Sequence, residues 1–315
     1  MPNKIKSFKT PGQISTKKQN IIIKLSGGLG NQMFQFAVAQ VLSYKTNSKL
    51  LLDKEFYKST NMFSNHTVRE FELDIFNLEY SEAQPEDISR FLQLSFLDKL
   101  RKKLNLNYPE TYREGKFYWD KNLLQREPPI YLIGYFQSYK YFKDYDILLK
   151  DIFKFPIENL DDRNKEIMGK ILKKSNSVSI HVRRGDYAED SVTREYHGLC
   201  DKNYYLKALD LLSKKHSDLN LFFFSDDIEW VKKEFKNLPF HKTFVNFNRG
   251  KNGWIDMLLM SNCQINIIAN SSFSWWAAYL NINISKTVIA PKRWFANNKK
   301  EKETLDLIPP NWVRL

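Results

Sequence analysis

Short apolar runs alternate with helix-like stretches along this chain, and they do so twice. In the first half, residues 21–25, 49–52 and 130–136 read as buried strands, with helices expected over 31–42 and 139–153. Phe155-Pro156 and the polar stretch to Arg163 form the best linker candidate, after which the rhythm restarts. Strands are expected at 178–182, 221–224, 243–245, 264–268 and 287–290, separated by helices over 202–214, 228–235, 254–260 and 275–280. Strand–helix alternation of this kind restricts the fold to α/β with parallel sheets. Two successive units, 21–160 and 161–315, are the simplest architecture. Between the strands of the first unit, residues 71–78 are ambiguous. Residues 86–104 read as one helix with Leu92, Leu94, Phe96, Leu97 and Leu100 near one face, and 105–129 as loop or surface insertion.

The composition narrows the setting. The 315 residues are 42% hydrophobic, enough for real cores, and carry a formal net charge of +13 that favours anionic partners: a nucleotide, nucleic acid or an acidic membrane surface. No apolar run is long enough to cross a bilayer. Residues 1–20 are polar and basic without an apolar h-region, so they read as a disordered lead-in rather than a secretory signal. Two cysteines, Cys200 and Cys263, make no disulfide framework, and no Cys/His group has zinc spacing. A reducing cytoplasm is the expected compartment, with peripheral contact at an anionic inner membrane face as a hypothesis drawn from the charge.

Chemistry concentrates where strands end. Val178, Ile180 and Val182 alternate with Ser177, Ser179 and His181, and the strand runs into Arg183-Arg184-Gly185-Asp186. Arginine offers a planar fork of donors matched to phosphate and stays charged. In open α/β sheets ligands sit just outside the carboxyl ends of strands. The plain alternative is a solvated loop with an ion pair to Asp186. The run Phe222–Phe224 delivers Asp226 and Asp227 in the same way; a carboxylate there suits the N1 and N2 donors of guanine, or caps the next helix. Asn270-Ser271-Ser272 opens a helix, where hydroxyls and backbone N–H groups bind phosphate oxygens or simply cap. Trp275-Trp276 read as core. His197, in the loop after the arginines, is an acceptor-side candidate, and a strand-end His181 could be a structural histidine. Asp144-Tyr-Asp146 reads as surface charge, so no metal site is expected.

In the first unit Gly27-Gly28-Leu29-Gly30 lies between a strand and a helix, and Asp53 follows about twenty residues on, as in a dinucleotide fold. A nicotinamide-dependent oxidoreductase is therefore one reading, but the third glycine of the fingerprint is missing. Asn31 and Gln32 stand at the helix start, where capping is their plain role. A nucleic-acid-binding protein is a further reading from the charge, without any recognised module.

Three blocks together resemble glycosyltransferase family 11, the α-1,2-fucosyltransferases: Gly27-Gly-Leu-Gly-Asn-Gln-Met-Phe-Gln35, His181-Val-Arg-Arg-Gly-Asp-Tyr187 and Ser271-Ser-Phe-Ser-Trp-Trp-Ala-Ala278. Phe224-Ser-Asp-Asp227 and Gly134-Tyr-Phe-Gln137 fit as well, and the resemblance runs from about Ile21 to the C-terminus. It implies a GT-B-like fold, two Rossmann-type domains facing across a cleft. The N-terminal domain (21–160) would be the acceptor side and the C-terminal domain (161–315) would bind GDP-fucose. It implies inverting transfer of L-fucose from GDP-fucose to the 2-hydroxyl of a terminal galactose, with no metal and no cofactor beyond the donor. The acceptor would be a galactose-terminated oligosaccharide or lipid-linked glycan. By position, Arg183 would hold the β-phosphate with Arg184 beside it, and His181 and Asp226 would meet the guanine with Asp227 adjoining. Ser271 and Ser272 would bind pyrophosphate, and Asn31 would face the reaction centre. Gln32 and His197 stand as acceptor-side candidates. Asp186 and His197 are candidates for the base. A GT-B enzyme using another nucleotide sugar is the nearest alternative.

Overall fold

The structure, a computed structural model, describes residues 18–59, 69–185, 195 and 198–315. Its elements follow the expected rhythm. In the first unit, strands β1 (Asn20–Lys24), β2 (Lys49–Asp53), β3 (Ser81–Glu82), β4 (Glu110–Arg113) and β5 (Ile130–Ile133) form one parallel sheet in the order β3-β2-β1-β5-β4. In the second, β6 (Ser177–Val182), β7 (Asn220–Ser225), β8 (His241–Val245), β9 (Ile265–Ile267), β10 (Thr287–Ala290) and β11 (Val313–Arg314) give β11-β10-β9-β6-β7-β8, also parallel. Renumbered within its unit, the second sheet runs 3-2-1-4-5-6, the doubly wound dinucleotide-fold order, whose ligand crevice opens where the winding reverses. That point lies between β6 and β9. In the first sheet the reversal lies between β1 and β5. This is the expected α/β, GT-B-like pair of Rossmann-type units.

The helices are α1 (Leu29–Thr46), α2 (Glu55–Ser59), α3 (Pro85–Leu92), α4 (Phe96–Lys103), α5 (Asp146–Ile152), α6 (Asp162–Lys173), α7 (Lys202–Ser213), α8 (Ile228–Glu234), α9 (Gly253–Ser261), α10 (Ser272–Leu280) and α11 (Asn298–Glu301). Both units share one core. Phe34 of α1 packs against Trp275 and Trp276 of α10 at ring separations of 4.6 and 5.0 Å, and Phe142 stacks on Trp276 at 5.5 Å. The tandem tryptophans are fully buried, as expected of core, and the Trp275 indole donates to the Leu307 carbonyl at 2.8 Å. Buried aromatics of this size dominate packing energetics, so the two units are joined by core rather than by a thin hinge.

Several expectations need correction. Residues 86–104 are two helices, because Gln93 leaves helical geometry and Ser95 caps a new start, accepting from the Asp98 N–H at 3.1 Å. The expected loop 105–129 contains β4, whose polar sequence Glu-Thr-Tyr-Arg suits a half-exposed edge strand. The helix expected over 139–153 is two 3-10 turns followed by the short α5, so Asp144 and Asp146 are not on one helix. Cys200 and Cys263 are buried free thiols. Among the described residues, no helix is long and apolar enough to cross a membrane.

Candidate active site

The second sheet brings the expected residues to one level. Its register pairs Val182 with Ser225 and Ile180 with Ile267. Arg183, Asp226 and Asn270 therefore leave the sheet side by side at the reversal point. Arg183 Nη1 pairs with Asp226 Oδ2 at 2.9 Å, and the Arg184 backbone N–H donates to Asp226 Oδ1 at 2.8 Å. Arg184 Nε donates to Asp227 Oδ2 at 3.2 Å, and its guanidinium lies 4.1 Å from the Trp230 ring centroid. Arg249, from the loop after β8, reaches the Asp226 carbonyl at 3.5 Å. The arginines thus pair with the acids of the neighbouring strand. A Cβ on Gly185 would stand 2.7 Å from Asp226 Oδ2, so only glycine lets the chain pass this carboxylate.

Asp227 also caps α8, its Oδ1 accepting from the Trp230 N–H at 3.2 Å, so for this residue the capping alternative is realised. His181 is buried on β6 beside Phe273, and its Nδ1 has no partner among the described residues. Burial pushes its pKa down to about 4, with Arg183 pushing the same way and Asp226 opposing. The ring is neutral at neutral pH. Asn270 is a clamp: its amide donates to the carbonyls of Gly198 and Trp294 at 3.3 and 3.1 Å.

The starts of α10 and α1 differ. Ser271 occupies the N-cap position of α10, yet its hydroxyl makes no capping hydrogen bond. The free N–H groups of a helix start favour an anion, and α10 presents them at the reversal point. At the start of α1 the first N–H is already taken. Glu72 Oε2 accepts from the Leu29 N–H at 2.8 Å, and burial raises the Glu72 pKa. The Gly27–Gly30 turn, which resembles part of a dinucleotide-binding fingerprint, holds the protein's own carboxylate. Sequence reasoning missed Glu72 because it lies 43 residues from Leu29.

The two units meet at these helix starts. A Cβ on Gly30 would fall 2.5 Å from the Ser272 carbonyl carbon, which explains the glycine. Asn31 Oδ1 accepts from Ser272 Oγ and from Gln137 Nε2, both at 2.7 Å, so Asn31 bridges the reversal points of both sheets. Gln137 had no assigned role, although the Gly134-Tyr-Phe-Gln137 block that contains it was visible. Glu114 in turn holds that block, accepting from the Tyr135 and Phe136 N–H groups at 2.7 and 3.0 Å. Burial pushes Glu114 up to about 7.

Gln32 corrects an expectation. Its side chain is fully buried, donating to the Gly27 and Glu70 carbonyls and accepting from the Glu72 N–H, so it has nothing to offer an acceptor. Asp53 is also closed off: Tyr131 Oη donates to it at 2.5 Å and the Glu55 N–H at 3.0 Å. Asp186 and His197 lie outside the described residues. Among the described residues no three His, Cys, Asp or Glu side chains gather in metal-binding fashion.

Paired Rossmann-type units closing on such a crevice are the architecture of GT-B-like glycosyltransferases. The model of glycosyl transferase family 11 matches residues 4–315, and the chain belongs to that family. An alpha-1,2-colitosyltransferase from Escherichia coli is 35% identical over 297 residues, covering 94% of this chain and 98% of that protein. The O-antigen biosynthesis glycosyltransferase WbnK of Escherichia coli is 34% identical over 92% of this chain and 99% of its own length. A galactoside 2-alpha-L-fucosyltransferase of Caenorhabditis elegans is 29% identical over 58% of this chain and 51% of its own. Among solved structures, the fucosyltransferase NodZ from Bradyrhizobium aligns with a TM-score of 0.48 and 17% identity over 83% of this chain and 92% of that one.

Proposed function

We propose that this family 11 glycosyltransferase moves L-fucose from GDP-fucose to the 2-hydroxyl of a terminal galactose, inverting β to α without a metal. The observation that carries the reading is the uncapped start of α10 at the same reversal point as Arg183 and Arg184. Breaking the C1–O bond to phosphate leaves an oxocarbenium-like sugar and adds negative charge to GDP. Fixed cations and helix N–H groups stabilise that charge most strongly in the transition state. Arg183, Arg184, Ser271 and Ser272 take the diphosphate in this scheme. When the diphosphate draws Arg183 away, Asp226 Oδ2 is released for the guanine N1 and N2 donors, beside His181 and Asp227. The galactose O2 forms the new bond on the opposite face of C1. Its proton passes to Asp186 or His197, or late in the step to the departing phosphate. Asn31, held by Ser272 and Gln137, faces the reacting carbon.

The acceptor approaches along the segment after β4. That segment crosses to the second unit, where the Phe117 N–H donates to Glu303 at 3.1 Å. It lines a surface cavity of about 460 Å³ that includes Tyr112, Tyr118 and Trp119, rings suited to the apolar face of a sugar.

The colitosyltransferase likeness favours a second donor. Colitose is L-fucose without its 3-hydroxyl, and the likeness covers 98% of that relative. One experiment separates the readings: GDP release from GDP-fucose and from GDP-colitose in excess EDTA, with and without β-galactosides. Acceptor-dependent release from GDP-fucose, yielding a product cut by an α-1,2-specific fucosidase, supports the first. Release from GDP-colitose alone supports the second. No release and no GDP binding by calorimetry overturns both.

A further inference from the structure

We propose that α4 docks this protein on an anionic bilayer surface. The helix turns its apolar stripe to solvent. Phe96, Leu97, Leu100 and Leu104 fall within about 100° of one another on a helical projection. That face points outward, with Phe96 81% and Leu97 65% exposed, whereas Asp98, on the opposite side, is only 5% exposed. Asp98 is turned back on the helix start, accepting from Ser95 Oγ at 2.7 Å. A soluble helix ordinarily buries its apolar stripe.

The residues around the face say what covers it. Lys99, Arg101, Lys102 and Lys103 are all exposed, and Asp98 is the sole acid in the helix. On the projection Arg101 and Lys103 flank the apolar stripe on either side. An apolar stripe edged by basic side chains fits the headgroup region, where the Phe96 ring and the leucines enter the acyl boundary and the cations meet lipid phosphate. A second copy of this chain would bring like charges together around the stripe.

The location leaves the cleft open. After α4 the chain enters the amino end of β4, and Asn107 bonds Gln19 ahead of β1 and the Pro128 carbonyl ahead of β5, at 3.5 and 2.9 Å. The stripe therefore lies at the amino-terminal edge of the first sheet, away from the strand ends that carry the site. Docked there, the protein receives donor and acceptor from the aqueous side. This inference does not depend on the identity of the donor.

The test is co-sedimentation of the full chain with phosphatidylcholine vesicles, with and without phosphatidylglycerol, at low and high salt. The wild type should bind only the phosphatidylglycerol vesicles, and high salt should weaken binding. The triple variant Phe96→Ser, Leu97→Ser, Leu100→Ser should lose binding, and Lys99→Gln with Lys103→Gln should weaken it roughly fivefold per charge removed. All these side chains are exposed, so folding and GDP binding by calorimetry should stay unchanged. Wild-type failure to bind, or equal binding by the triple variant, overturns the proposal. A wild-type dimer that the triple variant converts to monomer, without vesicle binding, would make the stripe an interface between copies and also overturn it.

Discussion

The two sheets reverse their winding in the same way, yet the chemistry at the two reversal points is opposite. In the first unit three carboxylates near the point are already engaged by the protein's own donors. Asp53 takes the Tyr131 hydroxyl, Glu72 the Leu29 N–H, and Glu114 two backbone N–H groups. In the second unit α10 starts without a side-chain cap and two arginines leave β6 beside it. A helix start whose first N–H holds the chain's own carboxylate is a poorer seat for a ligand's anion. One topology thus yields a positioning unit and an anion-binding unit, and the difference lies in a few polar groups.

The largest expected effect tests the anion-binding side. Removing a contact that stabilises transition-state charge typically costs about 3–4 kcal/mol in barrier. Arg183→Ala should therefore lose ~10²-fold or more in turnover, read as acceptor-dependent GDP release at saturating donor. Asp53→Asn in the first unit should leave turnover near wild type and lower stability by about 1–3 kcal/mol, the cost of disturbing a buried polar pair. Equal turnover losses in the two variants would break the contrast between the units.

The next effect lies at the seam. Gly30→Ala would place a methyl 2.5 Å from the Ser272 backbone, which cannot swing aside like a side chain. Overpacking of this kind costs about 1–3 kcal/mol. Thermal melting should show the loss, and turnover and GDP affinity should fall together, because the displaced Ser272 is assigned to the diphosphate. Asn31→Ala removes the bridge between Ser272 and Gln137 and should lower kcat about tenfold, the effect of one to two hydrogen bonds. A fall in GDP affinity as large as the fall in kcat would place Asn31 with the donor instead.

Much of this was legible in the sequence for a physical reason. Parallel strands buried on both faces read as continuous apolar runs, so β1, β2, β7 and β10 could be placed from the chain alone, while β6 was placed by the alternation of Val178, Ile180 and Val182. The polar edge strand β4 and the two-residue β3 and β11 lack that signature and were not recognised, whereas the edge strand β8 was. Partnerships across long separations were also invisible: Leu29 with Glu72, and Asn31 with Gln137 and Ser272. Residues 96–104 show a subtler limit. Periodicity says that Phe96, Leu97 and Leu100 share a face; it does not say whether that face points to core or to solvent, and here it points to solvent.

The smallest expected effects come from pH, where Glu114 and His181 pull in opposite directions. Burial pushes Glu114 of the first unit up to about 7 and His181 of the second down to about 4. From the ordinary carboxylate value of 4.5 up to about 7, the folded protein keeps a proton on Glu114 that the unfolded chain releases. Stability from this group is therefore lost as pH rises. From 6.5 down to about 4, the unfolded chain protonates His181 and the folded protein does not, so stability from this group is lost as pH falls. Each slope is on the order of 1 kcal/mol per pH unit at most. Asp256, buried in α9 and also pushed up to about 7, adds to the Glu114 direction. Melting curves between pH 5 and 6.5 should separate the contributions. Glu114→Gln should flatten the decline with rising pH, and His181→Gln should steepen it. If Glu114→Gln leaves the slope unchanged, the carboxylate is ionised throughout this window. It would then serve as a fixed acceptor for the Tyr135 and Phe136 N–H groups, and turnover should show no titration from it near pH 7.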